Sequence, residues 1–363
     1  MEHVAIDLGA RKSQICRRQS DGKIVEEKRL PTAQLGAYLR YLKEPSVVIV
    51  ESATGAFRIA RIAKGLGHTV RVVPATLAPA LGVGSRQTKN DVRDARLLSE
   101  SSCRMELPSV HVPSEASQKR KSELAMREQQ VGARTLLING VRAWLRDRGD
   151  PLSSGAAEGV PQRMRKWAER AQVELPPEVT RQLSLIEALT ATIESSNKEL
   201  EAAAKSDPVC RLLETVPGVG TLTALAFQAT IDEVRRFSTA HQVQSYLGLT
   251  PGEHSSGERE RKTSITKAGP PRMRKLLVQA AWTLRRCAKG HPLALWAAEV
   301  EKRRGKAIAV VALARKLAGI LFAIWRDGSV YNPKRGAAPV PAVEARQTMM
   351  KEAIQMLAPS TKG

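Results

Sequence analysis

Residues 47–50 read Val-Val-Ile-Val, an unbroken β-branched run. Such a run suits a strand buried on both faces, and a sheet holding it needs helices on both sides. The flanking sequence follows that demand. His3-Val-Ala-Ile-Asp-Leu8 forms a second short apolar strand ending at Gly9, and extended runs follow around Gln14–Arg18 and Lys23–Leu30 with Asp21-Gly22 as the turn. Thr32 is placed to cap a helix through Leu42, with Leu35, Leu39 and Leu42 at helical spacing. After Thr54-Gly55 the pattern predicts a helix to Gly65, a strand at Thr69–Val73 stopped by Pro74, and a helix from Asp91 to Ser101.

The order is three strands, a helix, a strand, a helix, a strand and a helix. That is the order of a ribonuclease-H-like (RNase H-like) domain, a mixed sheet flanked by helices, although order alone fits other folds. Long, polar-rich helices are expected from Glu115 to Leu145 and from Glu178 to Lys205, with a Gly/Pro/Ser break around Asp150–Pro161. Leu183, Ile186, Leu189 and Ile193 form a narrow seam, read as a helical hairpin or coiled-coil spacer, or as an ordinary helical insert. Asp207-Pro208 opens a third region, and Val216-Pro-Gly-Val-Gly220 sits there between apolar helical runs. The most apolar stretch, Ala307–Trp325, carries Arg315 and Lys316 at its centre. Placing that pair in lipid would cost about 2.5–3.5 kcal/mol per charge, so the stretch reads as an amphipathic core helix. The expected fold class is α/β plus all-α: a sheet domain over 1–110, a long-helix spacer over 111–206 and a mostly helical domain over 207–335. A tail over 336–363 completes the chain, with a short helix near Ala342–Leu357.

Lys and Arg total 58 against 36 Asp and Glu, a net charge of +22. A chain this basic repels itself unless it meets a polyanion, and nucleic acid is the usual one; a membrane surface is the weaker reading. Cys16, Cys103, Cys210 and Cys287 show no C-x-x-C spacing, so neither a zinc site nor a disulfide framework is expected. The start of the chain has no signal-peptide pattern, and the protein reads as intracellular, cytoplasmic and nucleoid-associated.

Carboxylates stand where this fold would gather them. Asp7 interrupts an apolar strand, where an unpaired charge is costly, and Glu51 ends the Val47–Val50 strand. Asp91 and Asp94, three residues apart, share one helix face. Phosphodiester chemistry uses two divalent ions about 3.5–4 Å apart, and hard ions such as Mg²⁺ take oxygen ligands from rigid elements. Each acid alone has a plainer reading: a turn for Asp7, a helix cap for Asp91, a solvated face for Asp94. Asp7-Leu8-Gly9 followed by Ser13 also fits the phosphate loop of actin-like ATPases, but the second Asp-Gly-Gly-type loop of that fold is absent.

Ser255-Ser256-Gly257, read as a loop, precedes a basic stretch. From Arg261 to Lys289 there are nine basic residues and no acidic one. Arg272, Lys275 and Arg286 can share one helix surface, with Arg274 and Arg285 beside it. This is a phosphate-binding face, or else a solvated basic helix. A serine at its edge could attack phosphorus once its hydroxyl is activated. Upstream, Val216–Gly220 has the form of a helix–hairpin–helix turn, with Gly218 and Gly220 permitting close backbone approach to a phosphate.

Taken in order, Ala5-Ile-Asp-Leu-Gly9, Val50-Glu-Ser-Ala-Thr-Gly55, Lys89-Asn-Asp-Val-Arg-Asp-Ala95, Val216–Gly220, Leu247-Gly-Leu-Thr-Pro251, and Ser255-Ser-Gly257 with Ile265-Thr-Lys-Ala-Gly269 carry a resemblance. The chain resembles an insertion-sequence transposase family that joins a RuvC-like Asp-Glu-Asp-Asp (DEDD) domain to a C-terminal serine-bearing domain, described as bridge-RNA-guided recombinases. The resemblance implies that Asp7, Glu51, Asp91 and Asp94 bind Mg²⁺ and that Ser256, or failing it Ser255, forms a covalent phosphoserine link to DNA. From the glycine turn and the basic stretch themselves, nucleic-acid contacts are expected from Gly218, Gly220, Arg259, Arg261, Lys262, Lys267, Arg272, Arg274 and Lys275. The resemblance further implies donor and target DNA and a structured guide RNA as partners, and a homo-oligomer built as a dimer of dimers in which serine and acids meet from different subunits. Pro270-Pro271 departs from the family pattern, in which a polar residue is expected at the start of the basic helix. Two other readings are a structure-specific endonuclease using the acids alone and a non-enzymatic nucleic-acid-binding protein.

Overall fold

The computed structural model describes residues 1–77, 91–256, 259–333 and 336–337, without the side chains of 253–262 and 336–337. It divides into two compact units between Ser114 and Glu115.

The first unit is a five-stranded sheet with helices on both faces. In chain order its elements are β1 (His3–Asp7), β2 (Lys12–Arg18), β3 (Ile24–Pro31), α1 (Leu35–Tyr41), β4 (Val47–Glu51), α2 (Ala56–Gly65), β5 (Thr69–Val73) and α3 (Asp91–Arg104). The strand order is β3-β2-β1-β4-β5. β2 is antiparallel to both β1 and β3, and β1, β4 and β5 run parallel. Alternation along the two central strands sorts their side chains between two cores. Val4, Ile6, Val48 and Val50 pack with Leu35, Leu39, Ile59 and Ala63 of α1 and α2. Ala5 and Ile49 face the other way, against Leu98 of α3 together with Val73 and Leu107. Both strands are therefore buried on two sides, as the apolar run requires.

Thr32 does not cap a helix. Residues 32–34 form a single 3₁₀ turn and α1 starts at Leu35. The Thr32 hydroxyl instead donates to the Gly9 carbonyl at 2.8 Å and lies 2.8 Å from Ser13 Oγ, tying the β1–β2 turn to the end of β3.

The second unit is helical apart from small hairpins. α4 (Glu115–Arg146), α5 (Val160–Ala171) and α6 (Pro177–Ser206) come first. α4 and α6 form an antiparallel hairpin: Leu124 shares a core with Leu200 and Ala204, whereas Ile138, Val141 and Leu145 meet Val179, Leu183 and Ile186. The seam is narrower in apolar residues than the periodicity predicts. Leu189 is only partly buried, and the stripe passes through Thr190 and Asn197, bonded to Arg134 at 3.3 Å and Arg127 at 2.6 Å. α5 was hidden by the polar break that precedes it; it lies in the connection between α4 and α6 and packs on that end of the hairpin through Val160 and Met164, with Trp144 and Trp167 in edge contact.

Then follow α7 (Pro208–Glu214), α8 (Thr221–Ile231), α9 (Ala240–Tyr246), a hairpin of β6 (Pro251–Ser256) and β7 (Arg259–Ile265), α10 (Pro271–Cys287), α11 (Pro292–Arg304) and α12 (Lys306–Asp327). α8 is buried nearly all round, and α12 buries Val310, Leu313, Leu317, Leu321 and Phe322 in the same core. By length and composition α12 could cross a bilayer, but half of its apolar window is buried inside this unit. Arg315 bonds Gln244 Oε1 at 2.9 Å, and the Lys316 ammonium sits 4.3 Å from the centre of the Trp296 ring. The pair that argued against lipid thus finds protein partners. The helix expected near 342–357 lies outside the described residues.

Candidate functional site

Asp7 and Glu51 end adjacent parallel strands whose last paired residues are Ile6 and Val50. By alternation Asp7 follows Ala5 and Glu51 follows Ile49, so both carboxylates belong to the face that α3 covers. α3 runs antiparallel to β1. At its C-terminal end Ser102 Oγ lies 2.8 Å from His3 Nδ1, at the start of β1. Midway, Ser99 meets Cys16, the register partner of Ala5. At its N-terminal end Asp91 is 3.3 Å from Arg29, which pairs with Gln14, itself opposite Asp7. The first turn of α3 therefore stands at the level of Asp7 and Glu51. Asp94 is 5% exposed, one turn before the buried Leu98.

The sheet and one helix thus bring the four acids to one corner of the first unit. Their side chains stop short of a closed shell. Among the described residues no group of three or more His, Cys, Asp or Glu is gathered tightly enough to hold a metal ion. Residues 78–90, which lead into Asp91, lie outside the described residues. Convergence here is a matter of backbone and face.

Ser255 and Ser256 are strand residues, where a loop was expected. Ser255 pairs with Glu260 and Ser256 with Arg259, at the turn end of the β6–β7 hairpin. The polar sequence of both strands gave no apolar alternation from which to read them. The base of the hairpin is closely fitted. A Cβ at Gly248 would lie 2.7 Å from the Ala268 amide nitrogen, and one at Gly269 would lie 2.2 Å from the Tyr246 carbonyl oxygen. The two backbones touch, and only glycine allows it. Across this seam Lys267 N–H donates to the Gly248 carbonyl at 3.1 Å and Thr266 N–H to Thr250 at 2.9 Å. Arg274 closes it, donating from Nη1 to the Leu247 carbonyl at 3.3 Å and to the Gly269 carbonyl.

The remaining basic candidates divide by what they touch. Arg274, expected on the phosphate face, is turned to these carbonyls. Arg272 and Lys275 project from α10 and share Glu128 of α4, at 2.5 and 3.1 Å. Arg285 pairs with Glu301 of α11. Arg259, Arg261 and Lys262 lie on β7, and their side chains are not among those described. Gly218, at φ +86°, spends its freedom inside the protein: a Cβ there would meet the Ala280 carbonyl at 2.5 Å, so the turn packs on α10. Gly220, the residue before α8, has open space around it, and of the two it is the one open to a ligand. Pro271 takes the first turn of α10, where its missing N–H costs nothing. Glu128 and the clasp made by Arg274 were not foreseen; both depend on contacts between segments far apart in the chain.

Among the described residues all four cysteines are free, and burial pushes the Cys210 thiol up to about 12, consistent with core packing.

Two family profiles match the chain: a transposase profile of the DEDD, IS110 type over residues 4–148, and one described as "Transposase IS116/IS110/IS902 family" over residues 210–295. The transposase for insertion sequence element IS1111A of Coxiella burnetii is 30% identical over 336 residues, covering 91% of each chain. The chain belongs to the IS110/IS116 transposase family. A probable family 20 transposase of Pseudomonas aeruginosa is 29% identical over 92% of this chain and 99% of its own length. The transposase for element IS1328 of Yersinia enterocolitica is 29% identical over 91% and 98%. Family membership makes this transposase a DNA-cleaving and rejoining enzyme of an insertion sequence. The first profile spans the acidic corner and the second spans α10 and the serine hairpin.

Proposed function

We propose that this transposase recombines DNA through an acidic Mg²⁺ platform on a RuvC-like sheet and a serine nucleophile on the β6–β7 hairpin, with a structured RNA choosing the sites. The observation that carries the reading is the antiparallel run of α3 along β1, which sets Asp91 and Asp94 at the level of Asp7 and Glu51. The strand order β3-β2-β1-β4-β5, with one antiparallel wing, supports the RuvC-like, RNase H-like assignment.

The donors suit the cation: four carboxylates, without sulfur or imidazole, match a hard divalent ion. When bound, such an ion stabilises charge on the phosphate oxygens. Asp7, Glu51, Asp91 and Asp94 would hold it once side-chain rotation closes the shell, which requires Asp91 to leave Arg29. The chain's own covalent step falls to Ser256, with Ser255 as the alternative. Its hydroxyl oxygen bonds to phosphorus as a phosphorus–oxygen bond to deoxyribose breaks. The serine proton passes to solvent and the leaving oxygen takes one up. Attack by a deoxyribose hydroxyl of the incoming strand reverses the link and frees the serine. Exchange by this route conserves phosphodiester energy without an external cofactor such as ATP. A homo-oligomer, as a dimer of dimers, would supply the several active sites that paired DNA ends require.

The test is a cleavage assay on donor and target DNA with the element's flanking RNA, followed by denaturing electrophoresis. Wild type is expected to leave protein covalently attached to one DNA end. Ser256→Ala should remove that adduct and the recombinant product. Asp7→Asn should lower both by on the order of 10³-fold, since several kcal/mol of charge stabilisation are lost. Recombination that survives Ser256→Ala and Ser255→Ala together, with free DNA ends and no adduct, would favour hydrolysis by the acids alone. Activity unchanged by nuclease removal of RNA would end the guide reading.

A further inference from the structure

We propose that the exposed stripe of α10 seats an unpaired DNA strand, with Trp282 as the ring on which one base stacks. α10 turns Met273, Leu277, Ala280, Ala281 and Leu284 into the core. On its opposite side Arg272, Lys275, Gln279, Trp282 and Arg286 follow at steps of three and four, one continuous stripe about 21 Å long. Trp282 is 40% exposed. The chain has only five tryptophans. Trp144 and Trp167 pack on each other, and Trp296 and Trp325 lie against the core of the second unit. Trp282 alone among them stands in solvent on a basic face.

An indole there gives up the burial that makes tryptophan useful in a core. Its surroundings suit a nucleotide. The Lys306 ammonium lies over the ring 5.1 Å from its centre, the Arg285 guanidinium carbon lies 5.5 Å away with its group paired to Glu301, and Lys275 and Arg286 lie one to two turns away on the same stripe. Cations spaced around an open aromatic ring form the arrangement that holds phosphates while a base stacks. Paired bases are already stacked within a duplex, so the ring selects an unpaired one. Cutting and rejoining DNA produces unpaired strands at the enzyme, which gives this face its occupant.

Glu128 sits at the other end of the stripe. It bonds Arg272 and Lys275, and the Arg272 guanidinium, with Lys275 assisting, holds its carboxyl below the usual range. A carboxylate bridging two cations occupies the place of a phosphate, so an arriving strand must displace it. The proposal rests on reading the basic residues of α10 as a nucleic-acid face, and adds to that reading the strand's unpaired state and the stacking residue.

Fluorescence anisotropy with the full chain tests it, using labelled oligothymidylate, a duplex of equal length and oligouridylate. Trp282→Ala is expected to weaken oligothymidylate binding by about 5- to 150-fold, the range of one lost base stack. Duplex affinity and the salt dependence of binding should stay as in wild type. Trp282→Phe should recover most of the loss, which separates stacking from misfolding. Glu128→Gln should tighten oligothymidylate and steepen its salt dependence. Lys275→Ala tests the underlying face by itself, and should weaken single strand and duplex alike. Unchanged oligothymidylate binding in Trp282→Ala would overturn the proposal even if Lys275→Ala behaves as expected, and so would equal losses on duplex. Loss on oligouridylate alone would assign the seat to RNA and reject a DNA occupant.

Discussion

Asp7 and Glu51 end strands whose preceding residues Val4, Ala5, Ile6, Val48, Ile49 and Val50 are fully buried, while Ser256 ends a strand in a two-stranded hairpin of polar residues. The acidic corner is held by two hydrophobic cores, one on each face of the sheet. The hairpin is held at its base, by two glycine-mediated backbone contacts, two backbone hydrogen bonds and one guanidinium, with Ile265 packed on the core of the second unit. The first arrangement spreads its stability over many non-directional contacts. The second relies more on a few directional groups at one end. A carboxylate platform needs several oxygens fixed relative to one another, so it belongs on packed strands and a helix. On the proposed reading, a serine that bonds to a phosphate and is later released needs a carrier with a fixed root, which the base of the hairpin supplies.

The comparison can be broken by substitution. The largest effect is expected in the packed corner: Leu98→Ala, at the centre of the core beneath α3, should destabilise the first unit by about 2–5 kcal/mol. Denaturant titration followed by hydrogen exchange should show protection falling in β1, β4 and α3 and unchanged in α10 and α12. A loss spread evenly over both units would mean that they do not unfold as separate bodies.

At the hairpin root, Gly269→Ala should cost about 1–3 kcal/mol, because the added carbon meets backbone that cannot step aside. Arg274→Ala leaves two carbonyls without their charged donor, at about 1.5–3 kcal/mol. Its more telling readout is DNA binding. Each phosphate that a protein ceases to neutralise on duplex DNA flattens the plot of log affinity against log salt by about 0.9. Arg274→Ala should leave that slope unchanged while exchange in 251–265 accelerates; Lys275→Ala should do the reverse. A flattened slope in Arg274→Ala would return that residue to the phosphate face.

The smallest effect is a pH dependence. Folding lowers the Glu128 carboxyl from its ordinary 4.5, through the Arg272 hydrogen bond first and Lys275 second. Its contribution is therefore fully present above that ordinary value and is lost as pH falls through the lowered folded one. The stability difference between wild type and Glu128→Gln should be flat at neutral pH and shrink in acid. Arg29→Ala, which frees Asp91 from an exposed pair, should change stability by about 0–1 kcal/mol or less, measured by thermal melting.

Much of the sheet unit was legible residue by residue. The expected strand at Thr69–Val73 is β5, the run at Val47–Val50 is β4 within one residue, and the long helices after Glu115 and Glu178 begin where periodicity places them. Thr32, α5 and the β6–β7 hairpin were not legible. In each case a short-range signal competed with a partner far along the chain: Gly9 for the Thr32 hydroxyl, the α4–α6 end for α5, and the Gly248–Gly269 approach for the hairpin. The four acids could be picked out as candidates from sequence, Asp7 because a charge in an apolar strand costs free energy without a reason for its place. The direction α3 takes past them could not be read.

By itself the sequence determined the period of the sheet strands and the long helices, the charge that directs this transposase to nucleic acid, and the residue types able to hold a hard cation or attack phosphorus. Those properties are local, fixed by side-chain chemistry and spacing along one strand or helix. Only the tertiary structure decided which direction α3 takes along β1, that Arg274 faces carbonyls and Lys275 faces outward, and that Trp282 is left in solvent. These follow from how distant segments pack, and neighbouring residues on one helix carry no record of which of them will meet a partner.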